Sequence, residues 1–332
     1  MRRSLENGRI GIDARSKSSG TKWGGATYVH NLLLNIPFLD ALLETSPSNN
    51  FLWNNLRVPK EARRRGWLAY HAPNYTAPLR LDVPLILSVH DLAYLDRKEW
   101  YPYRNGPLRK AFYKASIRKA SRIIVPSFFT RREMISRFPQ VKDRVRVIPL
   151  AASRSFYPDL EEAARIALEY DLPDKYLLHV GDLHPRRRMD LMSEAARETG
   201  LPLVLVGREL VPIPEEDFTI RLEGISTDSL RGIYSGAEAL LYFSEYEGFG
   251  LPVLEAMACG TPVVAGSRAS IPEVCGDAAI LVSGESDEFA VGIMEALENR
   301  EEYSRLGLAR AEQFSWKKTA EMTIAVYREL VP

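Results

Sequence analysis

A chain of 332 residues has room for about two domains, and 44 Lys+Arg against 43 Asp+Glu leave a net charge of +1 that makes no global case for nucleic acid. Apolar residues at 45% and charged residues at 26% exclude disorder, collagen and coiled coil as whole-chain descriptions, and no apolar run approaches the ~18 residues of a membrane span. Met1 to Asn7 lacks the apolar core of a signal peptide and two cysteines (Cys259 and Cys275) form no disulfide framework, so a soluble, cytoplasmic protein is expected.

Strand-like runs and amphipathic stretches alternate along the chain. Residues 9–13 read as a strand and 26–35 as a helix; 67–71 and 84–90 follow as strands, 106–120 as a helix, 122–126 as a strand, 128–138 as a helix and 144–149 as a strand. A break near Ala151 to Asp159 precedes a second series. It comprises helix 160–170, strand 176–181, helix 189–199, strands 203–207 and 218–222, helix 227–236 and strand 239–243. Helix 252–259, strands 262–265 and 278–282, and helices 286–299 and 315–330 complete it, with Ser315 a candidate N-cap for the last. Unbroken apolar runs such as Leu85-Ile86-Leu87 and Leu203-Val204-Leu205-Val206 suit strands buried on both faces of a parallel sheet. The expected fold class is α/β: two Rossmann-like domains with parallel sheets facing a central cleft, ligands lying at the carboxyl ends of the strands.

Charge is uneven in one place. From Arg104 to Arg132 there are nine basic residues (Arg104, Arg109, Lys110, Lys114, Arg118, Lys119, Arg122, Arg131, Arg132) and no acid. Such a run is either a solvated helix face or a peripheral docking surface for anionic lipid, with Phe112, Tyr113 and Ile117 as apolar neighbours.

The stretch with most chemistry runs from Glu245 to Val264. It follows a strand, turns through Gly248-Phe249-Gly250-Leu251 and enters a helix with proline at its start. Amides between Phe249 and Val253 would lack intrahelical partners there, which makes an anion site. Glu247 and Glu255 bracket the turn, and carboxylates accept hydrogen bonds from sugar hydroxyls. In the first half, Gly24-Gly25 before a helix would let backbone approach a phosphate. His90 ends a buried strand, where an imidazole can hydrogen-bond a hydroxyl. After strand 176–181, Arg186, Arg187 and Arg188 form a basic run suited to phosphate. His30, His71, His179 and His184 share no metal-ligand spacing and no D-x-D triplet occurs, so no bound metal is expected.

Glu247 to Glu255, with Gly-Phe-Gly-Leu-Pro between them, resembles the E-x7-E motif of family 4 retaining glycosyltransferases of the GT-B fold, in their mannosyltransferase-like branch. Ser235-Gly236-Ala237, Gly260-Thr261-Pro262-Val263-Val264-Ala265, Pro272-Glu273-Val274, Phe314-Ser315-Trp316 and, in the first half, residues 9–15, 24–28, 71–75, 89–92 and 125–133 also resemble it. The resemblance implies an abbreviated acceptor-side domain at residues 1–151, a nucleotide-sugar domain at 152–314 and a helix at 315–332 crossing back to the first. It implies a metal-independent transfer of a hexose, by preference mannose from GDP-mannose, to a hydroxyl on a glycan, a lipid-linked carrier or a small molecule. UDP-linked sugars stay open. Glu247 and His90 would be catalytic; Gly24, Gly25, Arg186, Arg187, Gly248, Phe249, Gly250, Leu251 and Glu255 would bind donor, Glu255 on the ribose. No cofactor is implied.

Two departures accompany the match. Arg187 stands where the family has lysine, and segments 43–67 and 207–218 are short, so a strand lost from the first sheet would leave an unpaired edge. A non-catalytic nucleotide-sugar-binding scaffold is the alternative these departures raise. A glycoside hydrolase using Glu247 and Glu255 is a weaker one, and an oxidoreductase lacks its G-x-G-x-x-G.

Overall fold

A computed structural model describes residues 8–18, 24–43, 50–96, 100, 106–210 and 218–331. The N-terminal residues read above for a leader, Arg104 at the start of the basic stretch, and much of the short 207–218 segment lie outside these. The chain forms two units, Met1–Leu150 with Trp316–Pro332, and Ala151–Ser315.

Among the described residues the first unit holds six strands: β1 (Ile10–Asp13), β2 (Leu39–Leu42), β3 (Ala69–Ala72), β4 (Leu85–Ser88), β5 (Arg122–Val125) and β6 (Val145–Val147). They pair in the order β2-β1-β3-β4-β5-β6, all parallel. β1, β3 and β4 are buried throughout, as their apolar runs require in a sheet covered on both faces. The segment read as a strand from Trp67 begins only at Ala69. Trp67 instead lays its ring against Gly11, where any Cβ would come within 2.3 Å of it, and donates from Nε1 to Asp40.

The sheet ends at β2, whose Leu-Asp-Ala-Leu sequence gives little strand signal. It is short, and its Asp40 accepts from Arg65 at 2.9 Å as well as from Trp67; a brief strand with an inward-held charge is a blunted edge. Segment 50–65 is helical throughout, with a π-helical turn at Trp53–Arg57. There Glu61, with only 2% of its side chain exposed, gathers Arg57, Arg64 and Arg65. The C-terminal helix Trp316–Arg328 belongs to this unit. Its Thr319 donates to the Pro149 carbonyl and its Tyr327 hydroxyl lies 2.7 Å from His71 Nδ1, while Glu329 just beyond it takes Arg122 and Arg146.

The basic helix Pro107–Lys119 corrects one expectation: Phe112, Tyr113 and Ile117 are buried in the core and offer nothing to a surface. The helix shows solvent Arg109, Lys114, Arg118 and Lys119, beside an 86% exposed Leu108.

The second unit also holds, among the described residues, six parallel strands: β7 (Leu177–Val180), β8 (Leu203–Val206), β9 (Thr219–Leu222), β10 (Ala239–Tyr242), β11 (Val263–Gly266) and β12 (Ile280–Val282). Their order is β12-β11-β10-β7-β8-β9, the 3-2-1-4-5-6 arrangement of a Rossmann sheet counted from β7. Two of its helices start at a capping side chain. Asp159 accepts from the Glu162 amide and Ser226 from that of Ser229. Helix Arg300–Ala311 escaped the sequence reading because it has no apolar stripe and only Gly307 is buried.

Candidate functional site

In an open α/β sheet, the strand order reverses at one place, and the chains leaving the two adjoining carboxyl ends splay apart to form a ligand crevice. In the second unit that place lies between β7 and β10, which pair directly while their successors run to opposite sides. The segment leaving β7 carries Arg186 and Arg187; the segment leaving β10 carries Glu247 to Leu251. The topology therefore brings together residues singled out some 60 positions apart.

The β7 segment turns tightly. Pro185–Arg187 form a short 3-10 turn, with the Arg186 amide donating to His184 Nδ1. The Glu245 amide donates to the Arg186 carbonyl at 2.9 Å, and Arg186 Nη1 to the Tyr246 carbonyl at 3.3 Å, so the two segments are laced together. Arg187 is buried, at 6% exposure, and its Nη1 lies 2.9 Å from Glu247 Oε2. Its guanidinium sits over the Tyr242 ring, 4.7 Å from the centre. Glu247 Oε2 also accepts from the Tyr242 hydroxyl at 3.0 Å. Burial alone would raise the Glu247 carboxyl, but Arg187, then Arg186, the Tyr242 hydroxyl and the Gly248 amide outweigh it and hold it below the usual carboxylate range. Glu247 is an anion at neutral pH.

Gly250 then takes φ 106°, a conformation L side chains rarely adopt, and helix Leu251–Ala258 follows with Pro252 in its first turn. The amide set expected to be open is smaller than foreseen, because Val253 donates to the Gly250 carbonyl. Glu255, one turn into the helix, is half-buried and accepts from the Tyr234 hydroxyl at 3.1 Å. Burial lifts its carboxyl to about 7, opposed only by that hydroxyl. The two glutamates of the motif thus differ: one is fixed as an anion by arginine, the other is poised between neutral and charged.

Ser270 and Tyr242 were not foreseen. Ser270 is fully buried and its Oγ lies 2.9 Å from the carbonyls of both Glu247 and Phe249, pinning the turn from beneath. Both residues come from segments without a recognisable spacing to Glu247, and no sequence signal pointed to them.

In the first unit the strand order reverses between β1 and β3. Asp13 at the end of β1 forms a forked pair with Arg15, and the Gly24–Asn35 helix begins at the predicted glycines. A Cβ on Gly25 would come 2.8 Å from Asn74 Oδ1, so the turn and the segment after β3 approach closely. His90, two residues past β4, donates from Nε2 to the Pro73 carbonyl at 3.0 Å. Burial drives its pKa to about 4, so the ring is neutral with Nδ1 as acceptor. His71, weighed above only as a metal ligand and within the run 71–75, bridges Ser88 Oγ and the Tyr327 hydroxyl, each at 2.7 Å, and Tyr28 reaches the same serine at 2.9 Å.

Among the described residues, no three His, Cys, Asp or Glu side chains converge as a cation site requires. Nor is any described helix long and apolar enough to cross a membrane.

Two parallel six-stranded sheets are the architecture of GT-B glycosyltransferases. Residues 161–313 match the model described as glycosyl transferases group 1, and residues 24–153 match that of glycosyltransferase family 4. The chain is 32% identical to O-antigen chain mannosyltransferase B of Escherichia coli, over 81% of this chain and 78% of that protein. It is 28% identical to the MMP alpha-(1->4)-mannosyltransferase of Mycolicibacterium hassiacum, over 76% and 67%. The crystal structure of Anabaena HepE in complex with UDP-glucose aligns with a TM-score of 0.78 at 16% identity, covering 97% of this chain and 100% of that one. The chain belongs to the family 4 glycosyltransferases.

Proposed function

We propose that this glycosyltransferase moves mannose from GDP-mannose to a glycan hydroxyl, with retention of anomeric configuration and without a metal. Two relatives named as mannosyltransferases support the sugar, and the first of them supports a growing polysaccharide as acceptor. The observation that carries the reading is the Arg187–Glu247 pair at the sheet's reversal point. A departing nucleoside diphosphate gathers negative charge, and preorganised guanidinium groups at Arg186 and Arg187, with the amide end of Leu251–Ala258, stabilise it where a divalent cation otherwise would. Glu247 is an anion with hydroxyl-accepting lone pairs for the sugar, Glu255 faces the ribose, and Gly248, Phe249, Gly250 and Leu251 form the phosphate turn. Within the first unit, His90, neutral with Nδ1 as acceptor, is suited to take a hydrogen bond from a hydroxyl, and the Gly24–Gly25 turn to offer backbone to an anion.

The protein works in the cytoplasm, peripheral to an anionic membrane. Among the described residues, Arg109, Lys114, Arg118 and Lys119 give one helix a face of like charge, and Leu108 adds the apolar contact. The experiment is turnover of GDP-mannose and UDP-glucose in the presence of EDTA, read as release of the nucleoside diphosphate. Release from GDP-mannose, unchanged by EDTA, is expected. Release from UDP-glucose alone would replace the donor, and loss in EDTA would overturn the metal-free mechanism.

A further inference from the structure

β10 ends in a tyrosine where its neighbours Leu240, Leu241 and Phe243 are apolar. Tyr242 has no exposed surface, and a buried phenol costs free energy unless its hydroxyl is satisfied. That hydroxyl donates to Glu247 Oε2, the same oxygen that faces Arg187 Nη1. The ring face carries the Arg187 guanidinium at 4.7 Å, and its other neighbour is the His179 ring, stacked at 6.0 Å with 20° between planes. His179 is held in turn by its Nδ1–H, which donates to the Leu241 carbonyl at 3.0 Å. One side chain at the reversal of the sheet therefore touches the carboxylate and the cation together.

We propose that Tyr242 is a positioning residue for the transfer, its hydroxyl orienting the Glu247 carboxylate and its ring orienting the Arg187 guanidinium. This rests on the roles assigned above to Glu247 and Arg187. The Tyr242 hydroxyl supplies a directional hydrogen bond to Glu247 Oε2, while Arg187 Nη1 at 2.9 Å acts on the same oxygen as a charge. A guanidinium on an aromatic face keeps its charge without an additional anion, and the ring quadrupole attracts it in a desolvated setting. Arg187 has particular need of such a support, because neither its Nε nor its Nη1 finds a hydrogen-bond partner among the described residues, the Glu247 contact being one of charge. His179 does not compete as a cation, since burial, then the Arg187 charge, lowers its pKa to about 3. The hydroxyl and the ring act on different groups, so their effects are separable.

The test compares wild type, Tyr242→Phe and Tyr242→Leu in three measurements: calorimetric binding of GDP and UDP, turnover of GDP-mannose and UDP-glucose across pH, and thermal midpoint without ligand. Tyr242→Phe keeps the ring under Arg187. Its diphosphate Kd and donor KM should stay within about twofold of wild type while kcat falls by about tenfold or more, the scale of a hydrogen bond to a charged group. The acid limb of its pH profile should also move upward, because Glu247 would retain Arg187, Arg186 and the Gly248 amide but lose one donor to its charged form. Tyr242→Leu should additionally weaken diphosphate binding by about 2–30-fold, the range of a cation–π contact. A structural role alone would lower the midpoint in both variants without parting kcat from Kd. Phenylalanine with wild-type kcat and pH profile, or a loss confined to KM, overturns the proposal while the roles of Arg187 and Glu247 stand. A wild-type protein that binds neither diphosphate and turns over neither sugar removes those roles and this proposal together.

Discussion

Replacing Arg187 by alanine removes the most buried cation of the site and leaves Glu247 without its nearest counter-charge. The side chains are 8% and 18% exposed and 2.9 Å apart. Deleting one member of a fully buried pair costs about 3–5 kcal/mol, and three features reduce that here. Glu247 keeps the Tyr242 hydroxyl and the Arg186 charge, it is partly hydrated, and the unpartnered Arg187 Nε, itself a cost of about 1–3 kcal/mol, disappears with the side chain. The expected loss of stability is about 1–2 kcal/mol. Loss of a charge-assisted hydrogen bond to the diphosphate is worth about 1.5–3 kcal/mol, or roughly 10–150-fold in Kd. Urea denaturation without ligand measures the first and titration with GDP or UDP the second. The pH dependence supplies a sign. In the wild type the Glu247 carboxyl is depressed, so its stabilisation is present above its ordinary value of 4.5 and is lost as pH falls through the lower folded value. In the variant burial is less opposed and the carboxyl rises, so this acid loss shrinks, and it reverses if the folded value passes 4.5. Unchanged diphosphate binding with a stability loss above about 3 kcal/mol would show that Arg187 serves Glu247 alone and that the diphosphate lies elsewhere.

Glu247→Ala should abolish transfer while binding of bare GDP or UDP holds or tightens, since Arg187 loses its resident carboxylate; undiminished turnover would remove Glu247 from the mechanism. Glu255 titrates near 7, so if its carboxylate accepts from the ribose, nucleotide affinity should rise by up to about tenfold from pH 6 to 8. Glu255→Gln should flatten that rise, and an identical slope in the glutamine variant, read by calorimetry, would take the ribose contact away from Glu255. Its effect on folding has the opposite sense: a raised carboxyl binds its proton more tightly when folded, so this group's contribution falls as pH climbs from 4.5 through about 7. Tyr327→Phe leaves His71 with one ring nitrogen unpaired at a site with no exposure, which should cost about 1–3 kcal/mol. A midpoint within a degree of wild type would show that water takes the hydroxyl's place.

Much of the architecture was legible because parallel strands covered on both faces write themselves as unbroken apolar runs. β4 and β8 are Leu-Ile-Leu-Ser and Leu-Val-Leu-Val, buried at every position. The elements that escaped are those whose burial is one-sided or absent. β2 is a half-exposed edge, and Arg300–Ala311 lies on the surface with a single glycine beneath it. The apolar neighbours assigned to the basic helix failed for a related reason. On a helix, the residues spaced to face a core are the apolar ones, so Phe112, Tyr113 and Ile117 turn inward and the exposed Leu108 at the helix start is what remains outside.

The site divides along the same physical line. Gly250, Pro252 and the two glutamates are constrained by local geometry, a positive φ, a helix start and a spacing along one turn, and local geometry is what a sequence displays. Tyr242, Ser270 and the Ser88–His71–Tyr327 chain act through contacts between segments that the strand order brings together, with His71 and Tyr327 lying 256 positions apart. Nothing near Tyr242 in the chain distinguishes it from an ordinary core aromatic. Its meaning comes from pairing β10 with β7, which sets a phenol beside an arginine 55 positions earlier and a carboxylate five positions later. The same pairing explains why Glu247 and Glu255, alike in sequence, part in charge: one lies against the guanidinium supplied by the β7 segment, while the other has only the Tyr234 hydroxyl to oppose burial. The motif locates the carboxylates, and strand order determines which of them is an anion.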